Sequence, residues 1–291
     1  MPGLQAAALG QTEPIKIGFR WLGVAGFELT AAGFTLLVDP YLTRISFWQQ
    51  WAGRVQPNCA LLHTHIPRAD AILISHAHVD HLLDAPEIAQ RTGATVYGSA
   101  NVCQIATLSG LPRTQTVLLE AGDRLVLGPF AVQVFASEHL PIPGFGPKPL
   151  GRGLRAPLRA VDYQMDACYS LLIEVGGRRL LTDPGMRPDD APPADLLLIY
   201  PHHNAAYFTA LFRHVRPQVV LPTHWDDMWQ SLSRPLRPTF RPPWQSFPPL
   251  RRVSLDQLRA DVARAAAQLE LNTRVIVPRV LTPHTLEEWL T

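Results

Sequence analysis

The chain has 291 residues, 47% hydrophobic and 17% charged, with a formal net charge of +2. That length can bury a sizeable core, and the even charge balance argues against nucleic acid as the principal partner. Three cysteines, at 59, 103 and 168, form no Cys-x-x-Cys pair, which argues against a disulfide framework.

No apolar run is long enough to span a bilayer. Residues 1–14, MPGLQAAALGQTEP, lack a basic start and read as a flexible tail rather than an export signal. The expectation is a cytoplasmic protein in which residues 15–291 form one α/β domain.

From residue 15 the chain is rich in strands. IKIGFRWLG, GFELTAAG and FTLLVDP read as three of them, punctuated by Gly and Asp-Pro turns. FWQQW (47–51) reads as a loop or short helix, and ADAILIS (69–75) as a strand buried on both faces. Helical patterning over 84–93 ends at Gly93, ATVYGS follows as a strand, and NVCQIATLSG as a helix. Residues 114–139 read as three short strands. Residues 141–160 are basic and rich in Pro and Gly, and make one long loop. YSLLIEVGGRRLLTDPG is a hairpin turning at Gly176-Gly177. ADLLLIYPHH and PQVVLPTHWDD are buried strands ending in polar clusters. Residues 254–271 form a helix capped by Ser254, and TRVIVP closes the fold as a strand.

The polar clusters follow apolar strands. His76, His78, Asp80 and His81 come after AILIS, His139 after AVQVFAS, Asp183 after RRLLT, and His224 after QVVLPT. Strand ends that meet at one sheet edge bring distant residues together on a rigid frame. In an extended segment alternate side chains share a side, so His76 and His78 can hold one ion. His139 completes a three-histidine set. Asp80 and His81, a turn further on, join His224 in a second set, and Asp183 can bridge. Imidazole and carboxylate ligands suit two divalent ions, with Zn the leading candidate and Mn or Fe the alternatives.

These residues, with the opening WLGVAGFELTAAGFTLLVDPYL, resemble the metallo-β-lactamase superfamily over about residues 15–285. The resemblance is to its branch of L-ascorbate-6-phosphate lactonase-like and N-acylphosphatidylethanolamine phospholipase D-like hydrolases. It implies a four-layer αββα sandwich with two metal ions at one edge. The second set holds carboxylates where true β-lactamases commonly carry a cysteine, so antibiotic hydrolysis is not the expected role. The expected function is hydrolysis of a phosphodiester, ester or lactone by a hydroxide bridging the two ions. Asp80, Asp183 and His203 are the candidate catalytic groups. The alternative is a non-catalytic metal-binding or nucleic-acid-binding module of the same fold.

Several neighbours carry further expectations. Asp39 would orient the metal-binding loop. His202 and His203 would lie near the ions, and Asp226 or Asp227 would hold a ligand histidine. His63 and His65 read as loop residues, His214 and His284 as surface residues, and the cysteines as packed fillers. Lys148, Arg152, Arg155 and Arg159 make the 141–160 loop a basic flap suited to an anionic small-molecule substrate. FWQQW and RPPWQSFPPL would form an apolar groove or seal a homo-oligomer interface.

Overall fold

The computed structural model describes residues 15–141, 146–185, 187–201, 203–241 and 251–290. The tail at 1–14, residues 142–145 of the basic loop, His202 and most of RPPWQSFPPL lie outside the described residues.

The strands sort into two mixed sheets. The first holds β1 (Gly18–Gly23), β2 (Gly26–Ala31), β3 (Phe34–Val38), β4 (Ala71–Leu73), β5 (Thr95–Gly98) and β6 (Thr116–Leu118), with β14 (Pro283–Thr285) beside β1. The second runs from β7 (Arg124–Leu127) through β8 (Phe130–Ala136), β9 (Tyr169–Val175), β10 (Arg178–Leu181), β11 (Leu196–Ile199) and β12 (Val219–Pro222) to β13 (Arg274–Val275). Each sheet has an antiparallel half and a parallel half. Strands β3 to β6 and β10 to β13 are the parallel sets.

Parallel strands need crossover helices, and these cover the outer faces. Helices α2 (Cys59–His65), α4 (Ala85–Thr92) and α5 (Ala100–Leu108) serve the first sheet, and α6 (Ala205–Val215) and α7 (Leu255–Gln268) the second. Two further short helices, α1 (Phe47–Trp51) and α3 (Val79–Leu82), sit in the loops after β3 and β4. The caps are local in origin. Ser99, Asn204 and Ser254 each accept an amide from the first turn, and Gly93 ends α4 in left-handed conformation at φ 80°.

Alternating residues divide the core. Phe19, Trp21, Phe27, Phe130, Val132 and Leu171 fill the space between the sheets. Leu37, Ile72 and Val96 face Ile88, Val102 and Ile105 on one outer side, and Leu197 and Val220 face Phe208, Phe212 and Val262 on the other. Each fully buried Leu or Phe contributes about 1.5–3 kcal/mol. The layering is therefore helix, sheet, sheet, helix, the expected αββα sandwich.

Some elements differ from the sequence expectation. His63 and His65 lie on α2, capped by Asn58, rather than in a loop. The AILIS strand stops at Leu73, because Ser75 leaves the ladder to bond Asp39. Helix α6, AAYFTALFRHV, and strand β14 have no counterpart in the sequence reading. Among the described residues, no helix is long and apolar enough to cross a membrane.

Candidate metal centre

Strands β1, β3, β4, β8, β10, β11 and β12 end at one edge of the sandwich. The two sheets meet there through the Tyr169 amide, which donates to Ser75 O at 2.9 Å. The loops beyond these ends carry most of the buried polar residues.

His76, His78 and His139 form a near-equilateral triangle of imidazoles. Their ring centroids are 4.7, 4.9 and 4.7 Å apart, at steep interplanar angles. One ligand atom from each falls within 4.8 Å of the others. The tautomers follow from the partners. Ser75 Oγ donates to Asp39 at 2.6 Å and so accepts from His76 Nδ1 at 3.0 Å. His139 Nδ1 donates to Leu140 O at 2.7 Å. Both rings therefore turn a bare Nε2 inward. The His76 Nε2 is buried with no partner, and such an atom is normally satisfied.

Asp80, His81 and His224 form the second group, also within 4.8 Å. Asp80 Oδ2 lies 3.2 Å from His224 Nε2 and 3.7 Å from His81 Nε2, and the two Nε2 atoms are 3.2 Å apart. Donors on a tetrahedral zinc stand at about 3.3 Å from one another. Asp39 Oδ2 holds His81 Nδ1 at 2.9 Å, which fixes that ring as the sequence led us to expect.

The charges differ between the groups. Burial, reinforced by the surrounding imidazoles, drives the His76 pKa well below its ordinary value. The same causes bring His78 to about 3 and His139 to about 4. Burial also disfavours the His81 cation, but the Asp39 and Asp80 carboxylates outweigh it and raise that pKa. For Asp80, burial favours the acid, yet the facing His81 and His224 dominate and lower its pKa. Neutral imidazoles with inward lone pairs, an orphaned buried nitrogen and an ionised carboxylate are the donor set of a divalent cation. The residues fit two such ions.

Asp183 lies outside both groups. Its oxygens accept from the Gly185 and Tyr200 amides at 2.8 and 2.9 Å, its pKa is raised by burial, and it stands within electrostatic reach of His224. The Tyr200 ring is 5.7 Å from that of His224. His203 is placed just before α6, its ring stacked on Tyr207 at 3.5 Å. Neither belongs to the ligand triangles.

Other expectations are corrected. Asp226 and Asp227 hold no ligand histidine: Asp226 pairs with Arg44 at 2.6 Å and Asp227 with Arg237 at 2.8 Å. In each carboxylate a guanidinium takes one oxygen and a backbone amide, of Val24 or Trp229, takes the other. Cys59 is exposed on α2 rather than packed, whereas burial pushes the Cys168 thiol up to about 12, as for an inert packed cysteine. His284 is partly buried against Trp289, their rings 4.9 Å apart, because β14 docks on β1. Trp225 stacks on Trp21 in the core at 5.6 Å. Arg44, with its side chain fully buried, was missed altogether, since an Arg in a loop gives no sequence signal of burial.

Residues 35–225 match the family model of the "Beta-lactamase superfamily domain". The chain is 32% identical over 192 residues to a "UPF0173 metal-dependent hydrolase" of Carboxydothermus hydrogenoformans, covering 64% of this chain and 71% of the relative. Among solved structures it is similar to Igni18, a metallo hydrolase of Ignicoccus hospitalis. The TM-score is 0.57 and the identity 17%, over 93% of this chain and 98% of that one. It is also similar to YhfI of Bacillus subtilis, a metallo-beta-lactamase fold protein. There the TM-score is 0.56 and the identity 15%, over 93% of this chain and 99% of the other. At these identities the solved structures speak for the fold alone.

Proposed function

Because the chain belongs to the beta-lactamase superfamily and, within it, to the UPF0173 metal-dependent hydrolases, we propose that it is a hydrolase working with two divalent ions. His76, His78 and His139 would hold one ion and Asp80, His81 and His224 the other, with Asp183, near His224, the candidate bridging carboxylate. The observation that carries this reading is the convergence of two three-residue donor groups at one sheet edge. Zn is the first choice of metal, with Mn or Fe the alternatives, since imidazole and carboxylate donors suit all three. Ions bound there would supply Lewis acidity and acidify a water toward neutral pH.

The chain's own residues do the rest. Asp80, kept ionised by His81 and His224, orients the nucleophile. Asp183, raised by burial, is suited to taking its proton. His203, stiffened by its stack on Tyr207, is the candidate donor to the leaving group. Asp39 and Ser75 fix His81 and His76 from behind.

The preferred substrate is a phosphodiester, with lactones and esters next. Support comes from the loop leaving His139, whose Arg152 and Arg155 are exposed and carry no acid beside them. The resemblance to the lactonase-like and phospholipase D-like branch leans the same way. The test reads metal content together with turnover of bis(p-nitrophenyl) phosphate and a panel of lactones. Turnover by the metal-loaded chain, lost in His76→Ala, is the expected result. No turnover in either protein across the panel would end the proposal.

A further inference from the structure

Strained backbone gathers around His224. Val24, Asp39, Arg44 and His224 hold positive φ angles of 50°, 45°, 53° and 55°. Side chains with a Cβ rarely adopt that region, a β-branched Val least of all. Such conformations persist where surrounding structure over-determines them, and they cluster at functional sites. Here the surroundings can be named.

Three loops meet behind the second donor group. The β1–β2 turn carries Gly23 and Val24 after a break in register between Trp21 and Gly23. The loop after β3 carries Arg44. The loop after β12 carries His224, Asp226 and Asp227. Val24 O accepts the His224 amide at 2.9 Å, and the Val24 amide donates to Asp226 Oδ1 at 3.0 Å. The main chain of His224 is thus pinned at its own amide and again two residues later.

Arg44 locks that arrangement. Its guanidinium reaches Asp226 Oδ2 at 2.6 Å and Asp227 O at 3.1 Å, and both side chains of the ion pair are fully buried. Gly23, at φ 93°, leaves the room it needs: a Cβ there would fall 2.1 Å from the guanidinium. A buried ion pair is a weak source of stability, since apolar residues of equal volume often serve as well. What it supplies is direction, because a planar fork accepts few geometries.

We propose that the Arg44–Asp226 pair, with the Gly23–Val24 turn, is a positioning device that sets His224 where its Nε2 meets Asp80 and His81. Arg44 and Asp226 touch no donor atom; they act through the main chain of His224. The inference rests on the two-ion reading above, and its cost should fall on the second ion alone.

The experiment uses the full chain, stripped of metal and reloaded from chelator-buffered zinc. The proteins are the parent, Arg44→Met/Asp226→Leu, Arg44→Lys, and His224→Ala as a one-ion reference. Metal per chain is counted by mass spectrometry, and folding is followed by thermal unfolding. Removing both charges leaves no buried charge uncompensated, so the double variant should unfold cooperatively. Its second ion should bind roughly 10–100-fold more weakly, the usual effect of losing a group behind a ligand, with the first unchanged. Arg44→Lys, which keeps the charge and loses the fork, should fall between and carries the test should the double variant not fold. A folded variant that binds the second ion as tightly as the parent overturns the inference. A parent that takes up fewer than two ions overturns the two-ion reading itself, and this inference with it.

Discussion

The two donor groups share one short stretch of chain, His76 to His81, yet they are held in opposite ways. The first is all imidazole. The rings of His76, His78 and His139 lie edge to face, and the imidazoles of His78 and His139 add to burial in lowering the basicity of His76. The second is threaded with charge: Asp80 and Asp39 on His81, then Arg44 and Asp226 behind His224. An all-imidazole triangle offers inward lone pairs of the kind a divalent cation takes. The second group is tied to its surroundings by ion pairs. The difference teaches that one short motif can supply two donor groups held by different means, one by packed rings and one by ion pairs.

The comparison can be broken at Asp39, where the largest effect is expected. Asp39→Asn keeps an acceptor for Ser75 but removes the charge facing His81. Affinity at the second group should drop roughly 10–100-fold. The first group should lose less, since Asp39 reaches it only through the Ser75 hydroxyl. Titration with zinc, read as two binding steps, measures both, and equal losses would erase the contrast.

Acid sharpens it next. In the folded chain burial holds His78 at about 3 and His139 at about 4, below the ordinary 6.5. Between those values and 6.5 the unfolded chain binds protons that the folded chain refuses. The contribution of these two imidazoles to the stability of the metal-free protein should therefore be complete above pH 6.5 and be lost as pH falls toward 3. The slope is up to about 1.4 kcal/mol per pH unit for each imidazole. Asp84 runs the other way: burial raises it to about 6, so its contribution is complete below the ordinary 3.8 and fades as pH rises through 6. Denaturant unfolding at a series of pH values checks the sum, and His78→Gln should flatten the acid limb. A limb unchanged by that substitution would contradict the assignment.

The smallest effect concerns the loop beyond the first group. Replacing Arg152 and Arg155 by Ala should raise KM for an anionic phosphodiester several-fold, of the order of one screened ion pair each. A neutral ester should be indifferent. Equal shifts for both substrates would remove the reason for preferring phosphorus.

Much of this was legible in the sequence, and unevenly. His76, His78, Asp80 and His81 were readable because their spacing is local, and His139 and His224 because each follows a strand-length apolar run. Asp39 was readable as a carboxylate closing such a run. Arg44 was not: burial of an Arg depends on a partner 182 residues away. The partners of Asp226 and Asp227 failed for the same reason, since proximity in sequence to His224 does not fix the direction of a side chain after a left-handed residue. Helix α6 was hidden by its aromatic and β-branched residues, which have middling helix propensity. The division of 114–139 between two sheets was also hidden, because a short strand carries no mark of its sheet.

The most direct test of the central claim is a crystal structure of the metal-loaded chain with its anomalous difference map. The account predicts two peaks, one enclosed by His76, His78 and His139 and one by Asp80, His81 and His224. A single peak, or ions seated on other residues such as His63 and His65, would contradict it.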